Sequence, residues 1–200
     1  KLINDVADVV NADTSISDLF RLLHYEAHPG AWHLLLRLAS QFVSAPEAMQ
    51  MLHWLFAVSS VFLFCRHAPF SQLEKILFVF GYYQSYEYCV ISRNYGPGWF
   101  FLVLALIFYA RHSYVSAALC AFALVHCNLF GWIIVLAFVT SRLLLAVASR
   151  FSAPHSVRGL SRPVYLSFAI VAAGLATSLY SMLPAADYGF YLFAEQQHNI

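Results

Sequence analysis

Charged side chains are scarce in this sequence: Asp, Glu, Lys and Arg make up 10% of the 200 residues, whereas 61% are hydrophobic. Soluble domains carry about 25% charged residues, and a chain with so few could not keep its folded surface in water. The formal net charge is +1 and no cluster of Lys or Arg stands out, which excludes a nucleic-acid-binding surface. The composition therefore predicts an integral membrane protein.

The sequence also lacks the short motifs of familiar cofactor and metal sites. It contains no HExxH, P-loop, GxGxxG or CxxC spacing. Its cysteines lie in or beside apolar runs, at Cys65, Cys89, Cys120 and Cys127. Such cysteines are most simply small core residues, and no metal site is predicted from the motifs.

Long apolar runs dominate the chain after residue 47. A membrane span takes about 20 apolar residues, and roughly 17–25 is usual. The runs predict six spans, at 48–65, 75–91, 97–110, 113–127, 129–148 and 164–184, with His126-Cys127-Asn128 as the break between the fourth and the fifth. We expect an all-α fold, a polytopic transmembrane bundle over 48–184, followed by an exoplasmic tail or the start of a further loop at 185–200.

The first 47 residues carry too many charges for hydrocarbon. Ser15–Glu26 places apolar residues on one helical face after a serine cap. Ala31–Val43 follows the helix-stopping pair Pro29-Gly30, carries Arg37 and is too short to span. These segments predict an exoplasmic loop with two amphipathic juxtamembrane helices in the interface plane.

Basic residues set the expected orientation. With alternating spans, one set of loops holds most of them, at Arg66, Lys75, Arg111, Arg150, Arg158 and Arg162. The positive-inside rule places these loops in the cytoplasm. Most acids then lie outside, so we expect any acid–base chemistry at the exoplasmic face.

The segment Tyr82–Gly98 holds Glu87, Arg93, Asn94 and Tyr95 at the border of two apolar runs. Ionisable groups at such a border are costly to desolvate and by default mark a functional site. Arg offers a planar fork of donors suited to a phosphate, to which Asn and Tyr can add hydrogen bonds. The alternative is an interfacial anchor, with an Arg and a Tyr at headgroup depth or an Arg93–Glu87 ion pair across a loop.

Other candidate groups lie near the start of the chain and in the spans. Asp5 and Asp8, one helical turn apart, could supply a general base or hold a divalent cation, or they form a solvated acidic face. His24 and His28 have metal-ligand spacing, but the His28-Pro29 step disfavours helix there. His53 and His126 could ligate a b-type haem or be neutral, hydrogen-bonded rings.

Two longer patterns carry a resemblance to a known family. The first is Tyr25–Pro29 with Ala31–Leu36 (YEAHP and AWHLLL), and the second is Tyr86–Tyr95 (YEYCVISRNY). With an acidic start before them, they resemble the amino-terminal part of the GT-C membrane glycosyltransferases, which include the protein O-mannosyltransferases and the lipid A aminoarabinose transferases. The resemblance covers most of residues 1–130 and implies a further span upstream of Lys1.

The resemblance implies an enzyme of the bacterial inner membrane that transfers a sugar from a polyprenyl-phosphate carrier at the exoplasmic face. Asp5, or Asp8, would be the catalytic base. Arg93 with Asn94 would hold the carrier phosphate, and Glu87, His28 and Tyr95 would be supporting or acceptor contacts. The competing hypothesis is a non-catalytic accessory or scaffolding subunit of a larger membrane complex, with a haem-binding electron carrier as a third.

Overall fold

The computed structural model describes residues 15–17, 19, 29–87, 94–152 and 162–183, and every regular element in this part of the chain is helical. The all-α prediction is therefore confirmed. The helices are α1 (Ala31–Ala39), α2 (Ala45–His67), α3 (Gln72–Val79), a π-helical turn (Tyr83–Glu87), α4 (Tyr95–Ala110), α5 (Tyr114–Val125), α6 (Leu129–Ser152) and α7 (Arg162–Met182).

Three of these helices are long and apolar enough to cross a membrane: Pro46–His67 in α2, Leu129–Ala148 in α6 and Arg162–Met182 in α7. They correspond to the predicted spans 48–65, 129–148 and 164–184. The predicted spans 97–110 and 113–127 are also helices, but α4 has 16 residues and α5 has 12, fewer than the roughly 17 that a span usually takes. By length and composition these three helices could span a membrane, and crossing by α4 and α5 stays a prediction.

The predicted span 75–91 is not one helix over its described residues. Helix α3 ends at Val79, Phe80 and Gly81 form a bend, and the π-helical turn follows. Gly81 favours this break because glycine loses more backbone entropy in a helix than other residues. The Ser85 hydroxyl then donates to the Gly81 carbonyl at 2.8 Å, which satisfies an acceptor at the break.

Local sequence explains where the other helices begin and end. Helix α2 starts after the extended residue Ser44 with Pro46 in its first turn, and it stops at His67 because Ala68, which precedes Pro69, is extended. Helix α1 covers nine residues, about 14 Å, so the expectation that it is too short to span holds. It ends at Ala39, earlier than the predicted Val43. Most of the other predicted amphipathic helix, Ser15–Glu26, lies outside the described residues.

Helix α5 is the central element of the bundle. It packs against α4, α6 and α7, while α4 also packs on α2, and α2 carries α1. The main core forms where α4, α5, α6 and α7 meet, around Leu124, Val125 and Val135. A second cluster buries Trp32 and Leu36 of α1 against Met49, Leu52 and Phe56 of α2.

The bundle has two chemically different ends. At the first, which we call the basic end, Arg66, His67, Lys75 and Arg111 come together: the Arg111 guanidinium lies 3.4 Å from His67 Nδ1, and Lys75 Nζ donates to the Cys65 carbonyl at 2.9 Å. At the opposite end, residues 126–128 connect α5 to α6. By the positive-inside rule, we expect the 126–128 turn to face outward.

Candidate functional site

The 126–128 turn is built by one asparagine. Asn128 Oδ1 accepts a hydrogen bond from the Gly131 backbone N–H at 2.8 Å, so Asn128 caps the N-terminus of α6 and occupies one of the donors that a helix start leaves unpaired. The Asn128 side chain is nearly buried, with 6% of its surface exposed. Its amide is therefore held in place by the fold and not by solvent.

Two segments far apart in sequence meet at this turn. The amide nitrogen of Asn128 donates to the Asn94 carbonyl at 3.2 Å, which fixes the start of α4. The Ala31 backbone N–H donates to the His126 carbonyl at 3.2 Å, which fixes the start of α1. The turn thereby ties the ends of α1 and α4 to the junction of α5 and α6.

Glycine makes the approach of α4 possible. A Cβ atom at Gly98 would lie 2.5 Å from Asn128 Nδ2, far inside van der Waals contact. Gly96, Pro97 and Gly98 are all buried in the first turn of α4. The glycine at position 98 is thus explained by close contact with the turn.

Helix α7 closes the turn from another side. The Ser178 hydroxyl is fully buried and donates to the Val125 carbonyl at 2.6 Å. Next to it, Thr177 Oγ1 lies 3.1 Å from His126 Nε2. The Val125 carbonyl, the last of α5, therefore finds its partner on α7, which satisfies an acceptor that a helix end leaves open.

His126 is engaged at both ring nitrogens. Nδ1 lies 2.8 Å from the Phe122 carbonyl and must donate to it, because a carbonyl only accepts. Nε2 lies 3.1 Å from Thr177 Oγ1, whose hydroxyl also reaches the Ala173 carbonyl at 2.8 Å, and the Phe122 ring stacks on the imidazole at 4.5 Å. Haem ligation through Nε2 would require giving up the Thr177 contact, so the hydrogen-bonded alternative describes this residue better.

The structure places three of the predicted site residues. Asn94 precedes α4, and its carbonyl, not its side chain, makes the contact with Asn128. Tyr95 begins α4 and its ring packs 5.9 Å from that of Phe130. Glu87 ends the π-helical turn, where it accepts a hydrogen bond from the Tyr82 hydroxyl at 3.1 Å. Asn94 and Tyr95 are thus brought to the 126–128 turn.

The remaining predicted site residues, Asp5, Asp8, His28 and Arg93, lie outside the described residues. Their roles as base, cation ligand, supporting contact and phosphate ligand stay predictions. Within the described residues, no group of three His, Cys, Asp or Glu side chains is arranged to hold a metal ion.

Sequence reasoning placed the break at His126-Cys127-Asn128 correctly but missed what it does. Helix α5 ends at Val125 and α6 begins at Leu129. The signal that could have been used is Asn128 directly before an apolar helix, since Asn is a preferred N-cap. Ser178 and Thr177 carried no such signal, because a hydroxyl in an apolar helix more often bonds its own backbone.

Comparisons of the chain with protein-family models, with curated proteins and with solved structures give no match.

Proposed function

We propose that this chain is a GT-C-like glycosyltransferase of the bacterial inner membrane, which transfers a sugar from a polyprenyl-phosphate carrier at its exoplasmic face. The observation that supports it is the meeting of the two motif segments. The first segment is tied to the 126–128 turn by the hydrogen bond from the Ala31 backbone N–H to the His126 carbonyl. The second is tied to it by the hydrogen bond from the Asn128 amide to the Asn94 carbonyl.

The proposed reaction needs a base and a fixed positive charge on opposite sides of the sugar. Asp5, or Asp8, takes the proton from the acceptor hydroxyl or amine, whose electron pair then forms the bond to the anomeric carbon. The bond between that carbon and the phosphate oxygen breaks, and polyprenyl phosphate leaves with the electron pair. Arg93 and Asn94 stabilise the charge that develops on the leaving phosphate.

The supporting residues follow from their place in the motifs. Tyr95, Glu87 and His28 would contact the acceptor or orient the charged groups, and the Asn128 and Phe130 contacts would hold the Asn94-Tyr95 step in position. Asp5 and Asp8 are also candidate ligands of a divalent cation.

Release of polyprenyl phosphate by the full-length protein in membranes tests this proposal. The donors are polyprenyl-phosphate mannose and polyprenyl-phosphate aminoarabinose, each with a radiolabelled lipid. Arg93→Ala and Asp5→Asn should abolish release. Arg93→Lys should reduce it substantially, because the charge remains but the planar two-donor fork is lost.

Two control variants remove residues of the same types away from the proposed site. Asp13→Asn removes an acid from the same acidic stretch, and Arg158→Ala removes an arginine from the predicted cytoplasmic side; both should release polyprenyl phosphate at the wild-type rate. Unchanged release by Arg93→Ala would refute the phosphate role.

A subunit role in a larger membrane complex is the second candidate. Helices α6 and α7 each bury 11% of their most apolar window within the chain. Leu143, Leu144 and Leu145 are all at least half exposed, an apolar face that lipid or a partner helix must cover. Isolation only in a complex of fixed stoichiometry, without release of polyprenyl phosphate from either donor, would favour this candidate.

A further inference from the structure

The basic end brings together cationic and hydrogen-bonding groups from three elements. Arg66 and His67 come from the end of α2, Lys75 from α3, and Arg111 follows α4. Arg111 lies 3.4 Å from His67, and both Arg66 and Arg111 are close enough to act electrostatically on its ring. Like charges gathered in this way are unfavourable without an anion.

No acid neutralises this group within the described part of the chain. Glu74, beside Lys75 in the sequence, uses its carboxylate to accept from the Ser71 backbone N–H at 2.7 Å. One donor of the Lys75 ammonium group is already engaged, because Nζ donates to the Cys65 carbonyl and so caps the end of α2. Arg66, His67 and Arg111 have no such carboxylate partner there and all are exposed.

The hydrogen bond between Arg111 and His67 determines which N–H groups remain available as donors. A guanidinium only donates, so His67 Nδ1 accepts and the ring proton is on Nε2. The group therefore presents the Arg66 fork, the His67 Nε2–H and the other N–H groups of Arg111. Donors of this kind, gathered at one end of the helices, match the oxygens of a phosphate diester.

The depth of the group fits a lipid headgroup. The span Pro46–His67 has 22 residues, about 33 Å long as a helix, so its last residues reach the boundary of a hydrocarbon core of about 30 Å. Beside it, Phe70, Leu73 and Leu77 are exposed at 52%, 65% and 64%. Apolar side chains next to a cationic group suit acyl chains below a phosphate.

We propose that the basic end binds an anionic phospholipid of the cytoplasmic leaflet. Its phosphate contacts Arg66, His67 and Arg111, and its acyl chains lie along Phe70 and the exposed face of α3. Basic pockets between helices on the cytoplasmic side recognise anionic headgroups in this way. This site is at the opposite end from the proposed sugar-transfer site and does not depend on it.

Thermal unfolding of the full-length protein in detergent micelles tests the proposal. Phosphatidylglycerol should raise Tm by about 4 °C over phosphatidylcholine of the same acyl chains, as expected for selective binding to the folded state. The double variant Arg66→Gln/Arg111→Gln should lose this difference. Arg162→Gln, which removes an exposed arginine at the start of α7, is the matched control and should keep it.

Three results would overturn the proposal. They are an equal Tm of the wild type in the two lipids, a loss of the Tm difference in Arg162→Gln as large as in the double variant, and the same rise in Tm with inorganic phosphate and no lipid. Native mass spectrometry of the wild type in mixed micelles gives an independent measurement if the double variant does not fold. Phosphatidylglycerol retained over phosphatidylcholine supports the site, and equal retention of the two lipids refutes it.

Discussion

Asn128 shows how a single side chain can join two helices in an apolar chain. Its oxygen caps α6 and its nitrogen holds the carbonyl before α4. The first bond pairs the Gly131 N–H, a donor that is costly to leave unpaired. The second adds a donor to the Asn94 carbonyl, which also accepts from the Gly98 backbone N–H at 3.3 Å. Because both the oxygen and the nitrogen of the amide are hydrogen-bonded, a substitution that changes the shape of this side chain should lower the stability of the fold.

Substitutions at Asn128 should separate its two roles. Asn128→Ser keeps an N-cap oxygen but loses the donor to Asn94, and should cost about 1 kcal/mol of unfolding free energy. Asn128→Ala loses both and should cost about 2 kcal/mol. Denaturant titration in micelles measures the difference, and equal losses for the two variants would contradict the division.

Gly98→Ala should destabilise the fold through contact with the same side chain. The added Cβ would lie 2.5 Å from Asn128 Nδ2, and such overpacking typically costs about 1–3 kcal/mol. The control is the double variant with Asn128→Ser, whose shorter side chain removes the contact. The cost of Gly98→Ala should be clearly smaller in that background; an unchanged cost would show that the strain arises elsewhere.

At the scale of elements, the helices are joined by a few polar contacts between long apolar faces. Ser178 links α7 to α5 through the Val125 carbonyl, and Gly174 allows the two helices to approach closely at Phe122. In lipid, close packing and interhelical hydrogen bonds hold helices together, since the lipid itself is as apolar as the helix faces.

Ser178→Ala should weaken the α5–α7 contact. It removes the donor to the Val125 carbonyl and should cost about 1 kcal/mol of unfolding free energy. Ser181→Ala is the matched control, because Ser181 donates only within α7, to the Ser178 carbonyl at 2.8 Å. We expect that variant to stay within about 0.5 kcal/mol of the wild type, and equal effects would contradict an interhelical role for Ser178.

The start of α3 should be sensitive to acid. Ser71 and Glu74 form a reciprocal capping box, and the hydrogen bonds to Ser71 lower the pKa of Glu74 below its ordinary value. A depressed folded-state pKa means that the cap contributes above the ordinary pKa of a glutamate, about 4.3, and that this contribution is lost as the pH falls through the folded value.

Amide exchange of residues 72–79 between pH 7 and pH 3 measures this loss. Protection should decrease in acid for the wild type, while Glu74→Gln, which can still cap but cannot titrate, should show no such decrease. Gln72→Ala, an exposed neighbour outside the box, should behave like the wild type. An acid-dependent loss in Glu74→Gln as well would assign the effect to another group.

For the whole molecule, the basic end and the 126–128 turn lie at opposite ends of the helices, and this separation predicts a direction in the bilayer. The Arg111–His67 contact shows that α2 and α4 end on the same side. The basic loops predicted from alternate spans thus share an end in the described structure, at least for Arg66, Lys75 and Arg111.

Cysteine labelling tests this direction. In a background without the native cysteines, Phe70→Cys should react from the cytoplasmic side, and Ser44→Cys and Tyr188→Cys from the outside. The reason is the positive-inside rule applied to the basic end. Labelling of positions 70 and 188 from the same side would rule out the predicted number of spans.

The sequence by itself determined the class of this protein, all-helical with membrane-spanning segments, because apolar runs and scarce charge act locally and do not depend on partners. Its apolar runs also placed many helix ends within a few residues, among them the break before Leu129. It did not foresee the bend at Phe80-Gly81, where a glycine overrides a continuous apolar pattern.

Only the tertiary structure decided which polar groups meet. Four separate helices or their ends contribute groups to the turn after α5: Ala31, Asn94, Asn128 and Ser178. The local sequence around these residues does not predict that they meet. Hydrogen-bond partners distant in sequence depend on how helices pack, and the packing here follows from the close approach that Gly98 and Gly174 permit. The gathering of Arg66, His67, Lys75 and Arg111 likewise required the parallel arrangement of α2 and α4, since charge counts per loop give a side of the membrane but no distances.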